Sequence, residues 1–337
     1  MNKPLHTIVI AEIGVNHNGC TETAVRMIRE AAKAGADYVK FQTFKAEALV
    51  CASASRAAYQ QRNCGGDESQ LQMLRRYELT ADDFAMLAEE CRCNGVGFLS
   101  SPFDMESIAL LRSFDMDYWK IPSGEITNLP YLRAIARVAR NIIMSTGMST
   151  PEEIGQAVEA IEREGFDIKN ITLLHCNTQY PTPMSDVNLR AMLALRQFGC
   201  GHTGYSDHTQ GITVPIAATA LGAEMIEKHF TLDKSQAGPD HRASTDPAEL
   251  RAMISAIREV ELALGSEEKT PSESERPNRA VARKSIVAAK AIRRGEMLTE
   301  DNITAKRPGT GISPMLWDSV IGTAAIRDFQ PDELIEL

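Results

Sequence analysis

Short apolar runs alternate with amphipathic stretches along the first 265 residues of this 337-residue chain. Short apolar runs predict buried strands, whereas apolar residues that recur every three or four positions predict helices. Eight runs fit the strand pattern: Thr7–Ile13, Tyr38–Gln42, Val96–Ser100, Tyr118–Ile121, Ile142–Ser145, Ile171–His175, Thr203–Ser206 and Met225–His229. Eight stretches fit the helix pattern: Cys20–Ala34, Asp82–Gly95, Met105–Phe114, Leu129–Ala139, Pro151–Glu164, Val187–Phe198, Val214–Leu221 and Pro247–Leu264.

The regular alternation of strand and helix determines the predicted fold class. Strands that alternate with helices form parallel sheets, and eight such units are typical of a closed (β/α)₈ TIM barrel rather than an open doubly wound sheet. No Gly-x-Gly-x-x-Gly turn follows the first strand, which argues against a dinucleotide-binding fold. A polar insertion, roughly Thr43–Leu79, separates the second strand from the next helix.

The pattern changes after Gly265, where the last long helix ends. Residues 266–282 are polar, contain two prolines and have no apolar periodicity, which predicts a linker. Residues 283–337 contain short apolar runs and turn dipeptides, which predict a small domain of short strands with a limited core. We therefore expect a catalytic barrel over 1–265, a linker over 266–282 and a small domain over 283–337.

Composition narrows the class of protein. The formal net charge is −9 and the longest basic runs are two residues, which argues against a nucleic-acid-binding protein. The seven cysteines show neither zinc-site nor redox spacing, so we expect free thiols in a reducing compartment. No run of about 18 apolar residues predicts a membrane span, and the start of the chain lacks a signal-peptide pattern. We expect a cytoplasmic protein.

In a TIM barrel the active site lies at the carboxyl ends of the strands. Nearly every predicted strand of this chain delivers a polar or ionisable side chain there, inside or just after an apolar run. We take this ring as the candidate active site, and it includes Glu12, Lys40, Gln42, Ser100, Ser101, Lys120, Ser123, Glu125, Ser145, Asn177, Tyr180, Ser206, His208, Glu227 and His229.

His208 and His229 end neighbouring strands. Two imidazoles from adjacent strand ends can bind one divalent cation and leave positions open for water or a substrate oxygen. Asp207 and Glu227 lie next to them and could orient the ligands. The alternative is two unrelated histidines that make ordinary hydrogen bonds, and spacing alone does not choose between these interpretations.

Lys40 and Lys120 follow strongly apolar strands, where an unpaired lysine is costly. One interpretation is a clamp for phosphate and carboxylate groups, to which nearby hydroxyls contribute hydrogen bonds: Ser100, Ser123, Ser145 and Ser206. The other is that each lysine extends from its strand end into solvent.

Taken together, the strand-end motifs resemble the bacterial sialic acid synthase family over essentially the whole chain, in order. The motifs that carry the resemblance are IAEIGVNHNG (10–19), VKFQTF (39–44), SSPFD (100–104), KIPSGE (120–125), STGM (145–148), HCNTQYPTP (175–183), SDHT (206–209), EKHFT (227–231), GPDH (238–241) and KRPGTG (306–311). The C-terminal part resembles the family's antifreeze-like (SAF) domain. A set of this length is far more specific than any one motif.

The resemblance implies an enzyme that condenses phosphoenolpyruvate with an open-chain N-acetylated hexosamine, giving a nine-carbon 2-keto acid and phosphate. It implies a divalent metal, most commonly Mn²⁺ with Mg²⁺ or Co²⁺ as alternatives, bound by His208 and His229. By position, the phosphoenolpyruvate site comprises Lys40, Lys120, Ser123, Ser145, Asn177 and Ser206. Positions facing the sugar or the reacting centre are Glu12, Gln42, Asn63, Tyr180, Glu227 and Asp240.

The resemblance also implies a homodimer in which the SAF domain of one chain covers the barrel of the other. Arg307 would then reach the N-acetyl end of the sugar in trans. Glu12, Glu125 and Glu227 are the candidate proton donors and acceptors, and the sequence does not rank them. One departure from many relatives is the pair Ser100-Ser101, which keeps a hydroxyl at that strand end.

Alternatives to this function stay open. Within the family we expect N-acetylmannosamine as the hexosamine, which would give N-acetylneuraminate; the alternative is 2,4-diacetamido-2,4,6-trideoxymannose, which would give N,N′-diacetyllegionaminate. Another phosphoenolpyruvate aldol-type synthase could instead act on a sugar phosphate. A glycan-binding or ice-binding protein is a third class, suggested by the antifreeze-like domain, and the ring of polar strand ends argues against it.

Overall fold

The computed structural model describes residues 6–64 and 68–337. The chain divides into two compact units, Met1–Gly265 and Ser266–Leu337. No helix in these described ranges is long and apolar enough to cross a membrane.

The first unit is built around eight parallel strands, and this confirms the predicted barrel. Their order in the sheet is β3-β2-β1-β8-β7-β6-β5-β4, with β3 and β4 in contact where the sheet closes on itself. The strands are β1 (Ile8–Gly14), β2 (Tyr38–Thr43), β3 (Gly97–Pro102), β4 (Trp119–Ile121), β5 (Ile142–Ser145), β6 (Ile171–His175), β7 (His202–Asp207) and β8 (Met225–His229).

A buried tyrosine spans the closure between β3 and β4. The Tyr131 hydroxyl donates to the carbonyl oxygen of Pro102 at 2.7 Å and lies 3.4 Å from that of Lys120. Pro102 ends β3 and Lys120 lies in β4. The hydroxyl therefore links two strand ends that do not pair with each other in the sheet.

Helices cover the outside of the barrel, and several begin where side chains cap the first turn. Thr80, Thr150 and Asp246 each form a capping box, in which the cap side chain and the third helical residue satisfy each other's backbone N–H groups. The helices of this unit are α1 (Thr21–Ala34), α2 (Ala46–Leu49), α3 (Ala58–Cys64), α4 (Gln70–Arg75), α5 (Ala81–Cys93), α6 (Met105–Leu111), α7 (Leu129–Ala136), α8 (Pro151–Glu162), α9 (Ala191–Ala194), α10 (Thr213–Ala220) and α11 (Pro247–Leu264).

The prediction of one continuous helix over Val187–Phe198 was wrong. The structure has only α9, extended by a 3₁₀ turn over Leu195–Phe198. Asn188 adopts a left-handed conformation with φ of 44°, which a continuous right-handed helix cannot contain. The polar insertion also contains regular structure, because α2, α3 and α4 lie within it.

The second unit has its own small core. Its strands β9 (Ser285–Ala288) and β10 (Ile303–Lys306) pair antiparallel, and α13 (Trp317–Val320) follows them. The segment predicted as a linker contains a short helix, α12 (Arg276–Ala282). Buried apolar side chains form the core: Ile286, Ala288, Ile292, Leu298, Ile303, Val320, Ala325, Phe329 and Ile335.

Candidate active site

A cavity of about 610 Å³ opens at the carboxyl ends of the barrel strands. Its floor is polar, and most of the predicted site residues line it. Those residues are Glu12, Lys40, Gln42, Lys120, Ser123, Glu125, Ser145, Tyr180, Ser206, His208, Glu227, His229 and Asp240. The parallel register explains the convergence, because it brings the ends of all eight strands to the same side of the barrel.

Strand register places an ionic cluster at the centre of the floor. Glu12 in β1 pairs with Lys40 on one side and with His229 on the other. The Lys40 Nζ lies 2.5 Å from Glu12 Oε2 and 3.6 Å from Glu227 Oε2, and all three side chains are buried. A buried ammonium group thus lies between two carboxyl groups.

A second buried cation lies on the other side of Glu227. Lys120 Nζ donates to Ser145 Oγ at 2.7 Å and to Glu227 Oε1 at 3.2 Å. Ser206 Oγ donates to the same carboxylate oxygen at 2.9 Å. The two lysines, the carboxylate and the hydroxyls thus form one network that an anionic ligand could enter by replacing the carboxylate contacts.

The pKa values of the two central glutamates, Glu12 and Glu227, are shifted in opposite directions. Burial raises the pKa of Glu12, and the neighbouring Glu227 charge adds to the increase against the opposing effect of Lys40. Burial also acts on Glu227, but Lys120 and Lys40 together outweigh it and hold the pKa of that carboxyl below its usual range. Glu12 therefore retains a proton more readily than Glu227 does.

The pKa values of the two lysines are shifted in opposite directions within this cluster. Burial works against the charged form of Lys40, yet the Glu12 and Glu227 carboxylates raise its pKa above the usual value. For Lys120 burial dominates and lowers the pKa, because the attraction of Glu227 is partly offset by the charge of Lys40.

A tight turn after β5 completes the floor beside Lys120. The Gly147 N–H donates to Ser123 Oγ at 3.0 Å, and Cys176 Sγ lies 3.3 Å from the same oxygen. A Cβ atom at position 147 would lie 2.7 Å from Thr178 Cγ2 and 2.9 Å from Ser123 Oγ, so a larger residue would have to displace these two side chains. Sequence reasoning did not single out Cys176, although it directly follows β6, where a cavity-facing side chain is expected.

The two predicted metal ligands face each other across the β7–β8 edge of the cavity. The His208 and His229 ring centroids are 5.3 Å apart. His208 Nδ1 lies 2.5 Å from the Asn177 carbonyl oxygen, which can only accept, so this nitrogen is the donor. In the neutral ring Nε2 then carries a lone pair, 3.0 Å from the Tyr180 hydroxyl.

The chemistry of this pair fits a divalent metal. Burial lowers the pKa of His208 to about 4 and that of His229 well below its usual range, so both rings are neutral and able to coordinate. His229 Nδ1 is buried without a hydrogen-bond partner and lies 3.8 Å from Asp240 Oδ2. Among the described residues no group of three His, Cys, Asp or Glu side chains converges, so the remaining ligand positions would fall to water or substrate.

Beside the polar floor the cavity has an apolar lobe, which the sequence did not predict, and Gln60 and Gln70 of the insertion also line the cavity. The lobe is formed largely by the insertion and includes Val15, Phe44, Leu49, Val50, Met73, Leu74, Tyr77 and Phe103. Met73, Leu74 and Tyr77 follow Ser69, whose capping box with Gln72 begins α4. That Ser-x-x-Gln spacing ahead of apolar residues was the signal in the sequence that could have revealed a buried helix here.

Some predicted site residues lie elsewhere. Ser100 Oγ is 2.6 Å from Thr43 Oγ and does not line the cavity, whereas Ser101 lines it and accepts from Lys40 Nζ at 3.1 Å. Side chains alternate along a strand, and Ser101 pairs with Gln42, so Ser101 shares the inner face. The sequence placed both serines at this strand end, and the observed alternation shows that only Ser101 faces the cavity.

Three further predicted residues have other contacts. Asn63 Nδ2 donates to the carbonyl oxygen of Pro239 at 2.7 Å, so it supports a residue of the cavity wall. The Asn177 side chain bonds to neighbouring backbone, with Oδ1 accepting from the Gln179 N–H at 2.8 Å. Arg307 lies in the second unit, is exposed, and donates through Nε to the Ala282 carbonyl oxygen at 3.0 Å.

Comparison with known proteins identifies the family. The NeuB family model matches residues 27–269, and the SAF domain model matches residues 283–336. The chain belongs to the NeuB family. This confirms the resemblance drawn from the motifs.

Relatives of this NeuB family chain match it along nearly its full length. It is 47% identical over 329 residues to N,N′-diacetyllegionaminic acid synthase of Campylobacter jejuni, covering 98% of each chain. It is 43% identical over 317 residues to the Legionella pneumophila enzyme of the same name, covering 94% of this chain and 89% of that one. The crystal structure of N-acetylneuraminic acid synthetase from Leptospira borgpetersenii superposes with a TM-score of 0.71 at 31% identity, covering 81% and 90% of the two chains.

Proposed function

We propose that this chain condenses phosphoenolpyruvate with an open-chain N-acetylated hexosamine. A bond forms between C3 of the enol and the aldehyde carbon, water adds at C2, and phosphate leaves to give a nine-carbon 2-keto acid. The observation that carries the proposal is one cavity with two buried lysines and hydroxyls at its floor and an apolar lobe beside them.

Phosphoenolpyruvate would bind at the polar floor. Its phosphate and carboxylate groups need cationic partners, and Lys40 and Lys120 are the cations that line this cavity. Hydroxyls of Ser101, Ser145 and Ser206 already bond to members of the lysine–carboxylate network. The lysines would exchange carboxylate partners for substrate oxygens, so C3 is held in one orientation toward the aldehyde.

We assign proton donation to Glu12. As the new bond forms, the aldehyde oxygen becomes a hydroxyl and needs a proton. Glu12 lines the cavity, and burial keeps its carboxyl protonated to a higher pH than a free glutamate. Two carboxyl groups whose surroundings push their pKa values apart are a common arrangement for acid–base catalysis. Glu125 is partly buried and accepts from Asn128 at 2.6 Å, which leaves it the weaker candidate.

We further propose Mn²⁺ as cofactor, held by His208 and His229 with water and substrate oxygens. A divalent ion there supplies Lewis-acid polarisation of the aldehyde oxygen. Tyr180, whose hydroxyl lies 3.0 Å from His208 Nε2, would orient the ligand ring or the sugar. Asp240 lies beside His229 and would fix the orientation of that ring.

For the sugar, we propose 2,4-diacetamido-2,4,6-trideoxymannose, which gives N,N′-diacetyllegionaminate. This hexosamine carries a methyl group at C6 and an acetamido group at C4, where N-acetylmannosamine carries hydroxyls. The apolar lobe beside the catalytic floor suits a methyl group better than a hydroxyl, which would lose hydrogen bonds to water there. Two relatives that match most of this chain are named as synthases of that product.

N-acetylmannosamine is the second candidate. A structural relative that covers 81% of this chain is named N-acetylneuraminic acid synthetase. The same floor would serve this substrate, because the reacting aldehyde and phosphoenolpyruvate are unchanged.

A direct comparison of the two hexosamines tests the assignment. Phosphate release and product mass would be measured with purified full-length enzyme, Mn²⁺, phosphoenolpyruvate and each sugar in turn. We expect kcat/KM for the trideoxy sugar to exceed that for N-acetylmannosamine by about 100-fold, the scale on which an apolar pocket discriminates against an added hydroxyl. Reactions without either substrate serve as blanks.

The possible results distinguish an error in the assigned sugar from an error in the assigned reaction. Equal or faster turnover of N-acetylmannosamine would reassign the enzyme to sialic acid synthesis and leave the condensation chemistry intact. Absence of phosphate release with both hexosamines, in protein shown to be folded, would contradict the condensation itself.

We also propose a homodimer in which Arg307 of one chain completes the sugar site of the other. Two features support it: the match to the SAF domain over 283–336, and the exposed position of Arg307 within that domain. A guanidinium group suits hydrogen bonding to an acetamido oxygen, because it presents several donors in a fixed geometry.

A further inference from the structure

A fully buried ion pair lies directly behind the histidine pair. Lys228 Nζ is 2.6 Å from Asp207 Oδ2, and both side chains are completely excluded from solvent. The two residues are register partners in β8 and β7. Asp207 directly precedes His208 and Lys228 directly precedes His229, so each charge is covalently adjacent to one predicted metal ligand.

The pair faces away from the cavity. Side chains alternate along a strand, and Glu227 and His229 on either side of Lys228 both line the cavity. Ser206 and His208 flank Asp207 in the same way. The ion pair therefore does not touch a ligand in the cavity and can act only through its neighbours.

A third residue satisfies the remaining polar atoms of the pair. The Thr209 N–H donates to Asp207 Oδ1 at 3.0 Å, and the Thr209 hydroxyl donates to Oδ2 at 3.0 Å. Lys228 Nζ also donates to the Thr209 carbonyl oxygen. These bonds tie the segment on both sides of His208 to the residue before His229.

We propose that Asp207, Lys228 and Thr209 are positioning residues that fix the spacing of the His208 and His229 rings for metal binding. This inference rests on the metal site of the proposed function. A metal site tolerates little error in ligand spacing, and groups behind the ligands commonly hold it. The network connects the two backbone positions that set the 5.3 Å ring separation.

A purely stabilising role does not account for this arrangement. A buried ion pair contributes little stability compared with an apolar pair of similar shape, because desolvation offsets the attraction. Among the described residues, no other ion pair outside the cavity has both side chains so completely buried. The Asp207–Lys228 pair also differs from those other ion pairs in its position directly beside His208 and His229.

The test replaces both charges together. The double variant Asp207→Leu/Lys228→Met keeps similar volumes and leaves no unpaired buried charge. Mn²⁺ affinity of metal-stripped full-length protein would be measured by titration calorimetry, and thermal unfolding would be followed without metal. We expect the Kd for Mn²⁺ to rise about 10- to 100-fold while unfolding stays cooperative. Excess Mn²⁺ should restore most of kcat, since both imidazoles are still present.

Arg258→Met provides the matched control. Arg258 bonds to the Thr7 carbonyl oxygen, Glu261 and Asp37 at the opposite end of the barrel. This variant should lower the unfolding temperature and leave the Mn²⁺ affinity unchanged. Comparison with Arg258→Met therefore distinguishes loss of histidine positioning from a general loss of stability.

Each outcome bears on a different claim. Wild-type Mn²⁺ affinity in the double variant would overturn the positioning role and leave the metal site standing. Equal Mn²⁺ affinity of wild type and His208→Ala would remove the metal site and, with it, the role of the pair. If the double variant does not fold, Thr209→Val decides, because it removes one donor to Asp207 and keeps the side-chain shape. Unchanged affinity there overturns the inference.

Discussion

At the scale of single residues, the surroundings give identical side chains different chemistry. Glu12 and Glu227 are both buried at the cavity floor, and both lie within 3.6 Å of Lys40 Nζ. Glu227 has a second cation, Lys120, and a hydroxyl donor, Ser206, which favour its charged form. Neither group is hydrogen-bonded to Glu12, so burial dominates there and raises its pKa.

The proton assignment predicts a pH dependence. Glu12 acts in its protonated form, and its pKa is raised to about 7, so kcat should fall as the pH rises through that value. Glu12→Gln should lower kcat by about 100-fold or more and abolish this limb of the pH profile. Steady-state rates from pH 5.5 to 9 check both. An unchanged basic limb in the variant would assign it to another group.

The metal assignment predicts the effect of removing one imidazole. His229→Ala should lower turnover on the order of a thousandfold, equivalent to about 4 kcal/mol of transition-state stabilisation. The fold should persist, because the imidazole Nδ1 has no hydrogen-bond partner to lose. Turnover and circular dichroism would be compared with those of His202→Ala, an exposed position at the start of β7. Near-normal turnover of His229→Ala with added Mn²⁺ would contradict the assignment.

At the scale of elements, the insertion between β2 and α5 builds the apolar lobe of the cavity. Its helix α4 starts at a capping box and places Met73 and Leu74 against the barrel, while Tyr77 follows just after the helix. These three side chains are buried yet line the cavity. A loop inserted after a barrel strand can therefore alter specificity without disturbing the catalytic floor.

This role of the insertion predicts a shift in selectivity. Met73→Gln puts an amide of similar size into the lobe and should favour the hexosamine that carries hydroxyls. We expect the ratio of kcat/KM for the trideoxy sugar to that for N-acetylmannosamine to fall about tenfold. Met86→Gln, at an exposed position on α5, is the control and should leave the ratio unchanged. An unchanged ratio in Met73→Gln would exclude the lobe as the specificity element.

At the scale of the whole molecule, the chain combines a barrel with a small second unit. The barrel holds all the lining residues of the main cavity within the described chain, and the second unit has a separate core. A two-fold dimer allows such a unit to serve the site of another copy, because each chain contributes equivalently to both sites.

The proposed dimer predicts complementation between two inactive variants. In a mixture of Glu227→Gln and Arg307→Ala chains, a hybrid dimer regains one intact site, formed by the Arg307→Ala barrel and the other chain's Arg307. Random exchange should restore about a quarter of wild-type activity. A mixture of Glu227→Gln and His229→Ala, both barrel variants, should restore none. Absence of recovery, with subunit exchange proven by native mass spectrometry, would place Arg307 outside any shared site.

Sequence patterns alone predicted the barrel and most of the residues at the polar floor of its cavity. Apolar strands that end in a polar residue are a local signal, and parallel register brings those ends together whatever the details of packing. Lys40, Lys120, His208 and His229 were therefore found without coordinates. Of the two serines that end β3, the tertiary structure showed that Ser101 lines the cavity and Ser100 does not, because neighbouring residues of a strand face opposite sides.

The lobe and the buried Asp207–Lys228 pair were also decided by tertiary structure alone. Each depends on residues distant in the sequence: Val15 and Met73 belong to one buried cluster, and Lys228 donates to the Thr209 carbonyl oxygen. The pKa of Glu12 depends on burial and on three charges from other strands, those of Lys40, Glu227 and Lys120, which no local pattern records. The sequence determines which chemical groups are present at the strand ends; packing determines which way they face, how far they are from water and which of them carry a proton.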